Sequence, residues 1–138
     1  MWLFHTPWAL RKLLNWVKEH YDDPDIIITE NGFAIDGESD LSGAEALNDI
    51  QRVEYLTSYV NEALKAIHLD GVRVKGYFLW SFLDNFEWME GYRVRFGIHR
   101  VDFNDPNRPR HPKRSAEAYK EIIRNNGFPK NLKEKSEL

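Results

Sequence analysis

Apolar residues fall at helical spacing in three stretches of the chain and run without alternation in another. Leu10, Leu13, Leu14 and Val17 follow Thr6-Pro7 at intervals of three and four. That spacing predicts a helix over residues 7–21, with Thr6 as N-cap, Pro7 in the first turn and Asp23-Pro24 as the stop. Ile26-Ile27-Ile28 comes next, a short β-branched run that suits a strand covered on both faces. Val53, Leu56, Val60, Leu64 and Ile67 mark the buried stripe of a second helix over 49–68, ended near Gly71. Val72 to Trp80 predicts a second strand. A third helix is expected over 113–126, with Ala116, Tyr119, Ile122 and Ile123 inward and Gly127 at its end.

Two polar or irregular stretches separate these elements. Residues 31–46 are rich in Gly, Asp, Ser and Asn, and a loop of that length inside a compact domain is usually functional. Residues 81–112 are irregular, with room for a short hairpin around Phe96 to Phe103. The alternation of helix and strand predicts a parallel sheet with helical crossovers. Two strands do not make a stable parallel sheet alone, and a (β/α)8 barrel takes about 250 residues. The chain has 138 residues, so it reads as the last part of something larger. The tail from Pro129 is polar and is expected to fray.

Composition changes this picture little, but charge and aromatic content add to it. The 42% apolar and 30% charged residues are those of an ordinary globular protein. No uncharged run reaches the roughly 18 residues of a membrane-spanning helix. There is no cysteine, which excludes a disulfide scaffold, cysteine metal sites and a thiol nucleophile. Residues 1–90 carry 7 Lys and Arg against 16 Asp and Glu, whereas residues 91–138 carry 12 against 6. The basic residues are spread through turns and a helix rather than along one stripe. Attraction between the two halves, or to a missing partner, therefore explains them better than nucleic acid or a membrane surface does. The start, Met1-Trp2-Leu3-Phe4-His5, has no basic leading region. No signal peptide is expected, and a cytoplasmic setting is favoured over secretion.

Five Trp, six Tyr and eight Phe crowd toward residues 77–103. Both long loops follow strand C-termini, where α/β proteins place their sites. Glu30 ends the first strand. Trp80 ends the second, and Asp84-Asn85-Phe86-Glu87-Trp88 follows. Carboxylates beside indoles suit a sugar, whose C–H faces stack on the ring while its hydroxyls donate to the acids. A carboxylate at a strand end can also attack an anomeric carbon. Trp2, Trp8 and Trp16 are expected to pack, Asp84-Asn85 to hold the loop, and the five scattered histidines to be structural or solvated.

Ile28-Thr29-Glu30-Asn31-Gly32-Phe33 and the run from Tyr77 to Trp88 together resemble the retaining β-glucosidases of glycoside hydrolase family 1. Thr6-Pro7-Trp8, Gly91-Tyr92, Arg95-Phe96-Gly97 and Pro112-Lys113-Arg114-Ser115-Ala116 support the resemblance. It implies the C-terminal part of a (β/α)8 barrel, with its last two strands and flanking helices, in one domain segment over 1–138. It implies Glu30 as the catalytic nucleophile and Trp80 as the indole platform at the cleaved sugar. Glu87 would bind two hydroxyls of the non-reducing sugar, Trp88 would donate beside it, and Phe96 would form an aromatic wall. Glu87 stands where 6-phosphosugar enzymes of the family tend to carry Ser, so an unphosphorylated β-glycoside is implied. No metal or organic cofactor is implied.

Met89 and Arg93-Val94 depart from the family pattern, on the expected rim of the pocket. The family's acid/base Glu lies in a Thr-x-Asn-Glu-Pro motif that this chain lacks, and the early-strand Gln and His and a Tyr that contacts the nucleophile are missing too. The acid/base must then come from outside this chain, supplied by a complementary N-terminal barrel segment. The isolated chain is expected to be inactive and to self-associate or bind that segment. Two other readings remain open: a non-catalytic sugar or receptor binder of the klotho type, and a purely structural barrel piece.

Overall fold

Pro7 sets the first turn of α1 (Pro7–His20) in the computed structural model, which describes residues 3–129. Thr6 holds the N-cap position without a side-chain capping bond. Its N–H donates instead to the Tyr59 hydroxyl at 3.2 Å. Asp22 and Asp23, both with positive φ, turn the chain ahead of Pro24 into β1 (Ile26–Ile28). The loop after β1 contains two short 3₁₀ turns, Glu38–Asp40 and Glu45–Leu47, and leads into α2 (Ile50–His68). Gly71, at φ +65°, reverses the chain after α2 into β2 (Val74–Tyr77). A hairpin of β3 (His99–Val101) and β4 (Arg110–Pro112) precedes α3 (Arg114–Asn125). Asn126 in the left-handed region and Gly127 close α3.

β1 and β2 pair in parallel, with Ile26 opposite Val74 and Ile28 opposite Tyr77, so α2 is the crossover that the alternation implied. α1 and α2 pack on one face of this pair. Leu14, Ile28, Ala63, Ala66 and Val72 form the core there, flanked by Leu10, Ile26, Val74 and Tyr77. A second, smaller core of Ala34, Val94 and Phe96 lies under the loops. No helix among the described residues is long and apolar enough to cross a membrane.

Several expectations are corrected, most of them for one reason. Ile27, on the other face of β1, is 57% exposed, so β1 is covered on one face and bare on the other. Leu13 of α1 is exposed, and so is Ile123 of α3. Trp8 and Trp16 are exposed rather than packed inside. Trp16 stacks on His20, and Lys12 lies over Trp8. Neighbouring elements of a closed barrel would cover exposed apolar surface of this kind.

The stripe on α2 is rotated. Arg52, Tyr55, Leu56, Tyr59, Val60, Ala63 and Ala66 are its buried residues, while Val53, Leu64 and Ile67 are only half-buried. Hydroxyl and guanidinium groups are turned inward on this helix, which an apolar pattern alone does not register. β2 stops at Tyr77, short of the expected Trp80, although single backbone bonds extend the pairing. β3 pairs with a strand beyond Phe103 rather than closing within 96–103. Val94, expected on the rim, is buried. Trp2 and the tail expected to fray lie outside the described residues, except Pro129, which has no regular structure.

Candidate active site

The ends of β1 and β2 are tied together by backbone bonds. Phe78 N–H donates to Ile28 O (2.8 Å), Asn31 N–H to Phe78 O (3.1 Å) and Trp80 N–H to Asn31 O (2.9 Å). Glu30 and Trp80 therefore leave adjacent strand ends on the same edge of the sheet. Gly32 is required at this junction: a Cβ there would lie 1.6 Å from Trp80 O, far inside contact distance.

Beside Glu30, Asn31 is held on both sides of its amide. Tyr77 Oη lies 2.7 Å from Asn31 Oδ1, and Asn31 Nδ2 lies 3.2 Å from Tyr55 Oη. Burial pushes the Tyr77 and Tyr55 hydroxyls well above the ordinary phenol range, with neighbouring tyrosines adding to it. Tyr77 therefore stays protonated and donates, which orients the Asn31 carboxamide. Tyr55 stacks between Phe33 and Tyr59, so this support is rigid.

The second loop turns back on itself. Trp80 Nε1 donates to Glu87 Oε1 at 3.3 Å, and Glu87 N–H donates to Gly91 O at 2.7 Å. Gly91 and Trp88 take positive φ there. Glu30 and Trp80 are exposed and Glu87 is half-exposed, while Trp88 is 84% exposed. Phe96 is set apart, 7% exposed and packed on Ala34 and Val94. The structure thus brings Glu30, Trp80, Glu87 and Trp88 to the two adjacent loops, with Phe96 beneath them. Met89 and Arg93 lie at the exposed tip, where Arg93 pairs with Glu90.

Beneath these loops is a polar core that the apolar pattern of the sequence does not mark. Arg52 is completely buried and uses all five of its N–H donors. Nε donates to Phe33 O (2.9 Å) and Nη1 to Glu38 (3.2 Å) and Asp49. Nη2 donates to Glu38 and to Arg95 O (2.9 Å). Burial opposes its charge, but Glu38 and Asp49 outweigh burial and raise its pKa. Lys113 Nζ donates to Glu38 and, at 3.0 Å, to Asp84. Asp49 accepts from Ser115 N–H at 2.8 Å, so it caps α3 from the start of α2. The one signal for this cluster was Arg52 standing at helical spacing with Leu56 and Tyr59. Asp84 was expected to hold its loop, and it accepts from Gly97 N–H (3.0 Å) and Val101 N–H (3.3 Å).

Three histidines are tied into the structure, and His68 and His111 are exposed. His5 bonds Ser58, His20 bonds Trp16 O, and His99 bonds Phe82 O. Among the described residues no group of three or more His, Asp or Glu is placed to hold a metal.

Two parallel strands with a helical crossover, their C-terminal loops carrying carboxylates and indoles, have the arrangement of part of a (β/α)8 barrel. The profile of glycosyl hydrolase family 1 matches residues 1–128, and the chain belongs to that family. It is 51% identical over 128 residues to rat lactase/phlorizin hydrolase, covering 93% of this chain and 6% of that protein. It is 49% identical to human cytosolic beta-glucosidase, covering 95% of this chain and 27% of that protein. The beta-glucosidase of the fungus Humicola insolens, solved in complex with glucose, superposes with a TM-score of 0.87 at 41% identity. That superposition covers 94% of this chain and 27% of the fungal one. The chain thus spans a minor part of the length of the relatives it matches, and it forms the last two strands of the barrel with the helices around them.

Proposed function

We propose that residues 1–138 form one segment of a single glycosidase barrel domain and supply the nucleophile side of a retaining β-glucoside hydrolase. The carboxylate of Glu30 attacks the anomeric carbon, forming a glycosyl ester as the leaving oxygen departs. An acid/base carboxylate from outside these residues protonates that oxygen. It then takes a proton from water, which attacks the same carbon, breaks the ester and frees Glu30. Two inversions give retention, which requires the two carboxyl groups to stand about 5–5.5 Å apart. Trp80 is the platform for the sugar ring, and Glu87 accepts from two hydroxyls of the non-reducing sugar. Trp88 donates beside it. Phe96, packed under the loops, backs the pocket wall.

The observation that carries this reading is the family match over residues 1–128 with Glu30 two residues past the end of β1. The bond from Trp80 Nε1 to Glu87 and the names of the relatives as beta-glucosidases support it. Glu87 favours an unphosphorylated sugar, because a second negative charge beside a carboxylate is repelled. The complementary barrel segment is the proposed partner, and the chain alone is inactive for want of the acid.

A 2-deoxy-2-fluoro β-glucoside with a good leaving group tests the nucleophile, since its departure needs no acid. In the assembled barrel it is expected to add one sugar mass to Glu30, located by peptide mapping. Glu30→Gln, nearly isosteric but a poor nucleophile, abolishes the label while keeping the fold. A label on Glu87 or another carboxylate overturns the assignment. An unlabelled barrel that still binds glucose favours a non-catalytic binding module.

A further inference from the structure

The loop after β1 leaves the sheet beside Glu30, and the loop after β2 carries Glu87. Their mutual placement is decided below the surface by two buried cations. Arg52 reaches the first loop at Phe33 O and Glu38 and the second at Arg95 O. Lys113, at the N-cap of α3 and 3% exposed, reaches the first loop at Glu38 and the second at Asp84.

Asp84 closes the stem of the Glu87 loop. It precedes Glu87 by three residues, and its carboxylate receives the N–H of Gly97, where the same loop comes back. The two stems touch: a Cβ on Gly97 would lie 2.1 Å from Asp84 N and 2.4 Å from Leu83 C. Between the stems, Glu87 is fixed by Trp80 Nε1 and by its own N–H to Gly91 O. A continuous line of bonds therefore runs from Glu38 through Lys113 and Asp84 to the segment that presents Glu87.

We infer that Lys113 is a positioning residue for Glu87: it ties the stem of the second loop to the first loop, and so holds Glu87 in place relative to Glu30. The inference rests on the roles proposed above for those two carboxylates. The two loops respond unequally to its loss. Without Lys113, Glu38 keeps Arg52 and the first loop stays anchored. Asp84 keeps two backbone N–H groups and Arg95, whose Nη1 is 3.9 Å away, beyond hydrogen-bond reach. The Glu87 side is the one released. Sugar binding should weaken while the reactivity of Glu30 persists, a split that general destabilisation does not produce.

Lys113→Met leaves a buried carboxylate short of a cation and can fail to fold. The double variant Lys113→Met/Asp84→Asn removes one charge of each sign and leaves Glu38 and Asp49 paired with Arg52. Both are compared with the unsubstituted assembled barrel, using the fluoro-glucoside as the probe. The half-saturating concentration is expected to rise about 10-fold in the double variant, the scale of one lost charge-assisted bond. The limiting rate of labelling stays within about 2-fold and the labelled fraction is unchanged. Hydrogen exchange read without sugar is expected to quicken over residues 85–96 and to stay constant over α2. An unchanged half-saturating concentration overturns the inference, and so does a drop in labelled fraction as the sole effect. If the unsubstituted barrel takes no label, the functional reading fails instead. The exchange over 85–96 then decides the tie by itself, and unchanged exchange refutes it.

Discussion

The polar cluster under the loops and the β1–β2 pair are opposites. In the cluster, Glu38, Asp49, Arg52, Asp84 and Lys113 are all buried, and each finds its partners within the chain. In the strand pair the apolar layer is finished on one face only. Ile27 is bare, and so are Phe78, Phe82 and Phe86 on the run beyond β2. A groove of about 220 Å³ stays open between α2, α3 and β2, lined by Val60, Leu64, Val74, Tyr119 and Ile122. Directional bonds were completed locally, while the non-directional layer was left for other elements of a barrel to cover. The chain thus carries a finished mount for its site and an unfinished sheet.

The sharpest way to break this contrast is to spoil the finished half. Arg52→Leu leaves Asp49 without a cation and Glu38 with Lys113 alone, which costs about 3–5 kcal/mol, read as a lower denaturation midpoint in the assembled barrel. A loss under 1 kcal/mol would mean that the cluster is wet and dispensable.

Next comes the unfinished half. Ile27→Asp puts a charge on the bare face of β1 and removes roughly 1.5–3 kcal/mol of burial on assembly. Binding of the complementary barrel segment should weaken at least 10-fold by sedimentation of the mixed pieces, while the loop cluster keeps its slow hydrogen exchange. Equal binding would show that the bare face is not the docking face.

Glu87→Ser addresses the site between the two. A carboxylate accepting from sugar hydroxyls contributes about 1.5–3 kcal/mol, so kcat/KM on an aryl β-glucoside should fall roughly 10- to 100-fold. The melting temperature should hardly move, because Glu87 is partly exposed and outside the buried cluster. Unchanged kinetics would count against its assigned role.

The smallest effect lies on the surface. Arg11 grips Asp70 with two 2.7 Å bonds, and Asn15 adds a third. Arg11 and Asn15 hold the Asp70 carboxyl well below the usual carboxylate range. A carboxyl with a depressed folded pKa adds stability above its unfolded value of about 3.9 and loses it as pH falls toward the folded value. Asp70→Asn should therefore lower stability at neutral pH slightly and remove part of the acid sensitivity below about pH 4. Parallel pH–stability curves for the two proteins would refute this.

Much of the fold was legible. α1 starts at Pro7 and α3 ends two residues before Gly127, while α1 and α2 stop four residues before Pro24 and three before Gly71, because those residues act through their own backbone geometry. β1 was legible as a β-branched run, and the parallel pairing as a consequence of the crossover. The candidate site was legible as two motifs, which placed Glu30, Trp80, Glu87 and Trp88 on neighbouring loops. Phe96 was legible as an aromatic of the Arg95-Phe96-Gly97 motif, but its burial against Ala34 was not.

By itself the sequence determined what depends on near neighbours: the helix ends, the strand run, and the types of side chain delivered at each strand end. Tertiary structure alone decided which charges went inside. Arg52, Glu38, Asp84 and Lys113 are far apart in the chain and ordinary one by one. Only when α2, α3 and both loops converge do they become a buried set. A charge is tolerated there because a guanidinium or ammonium group finds carboxylates from three separate segments within bonding distance.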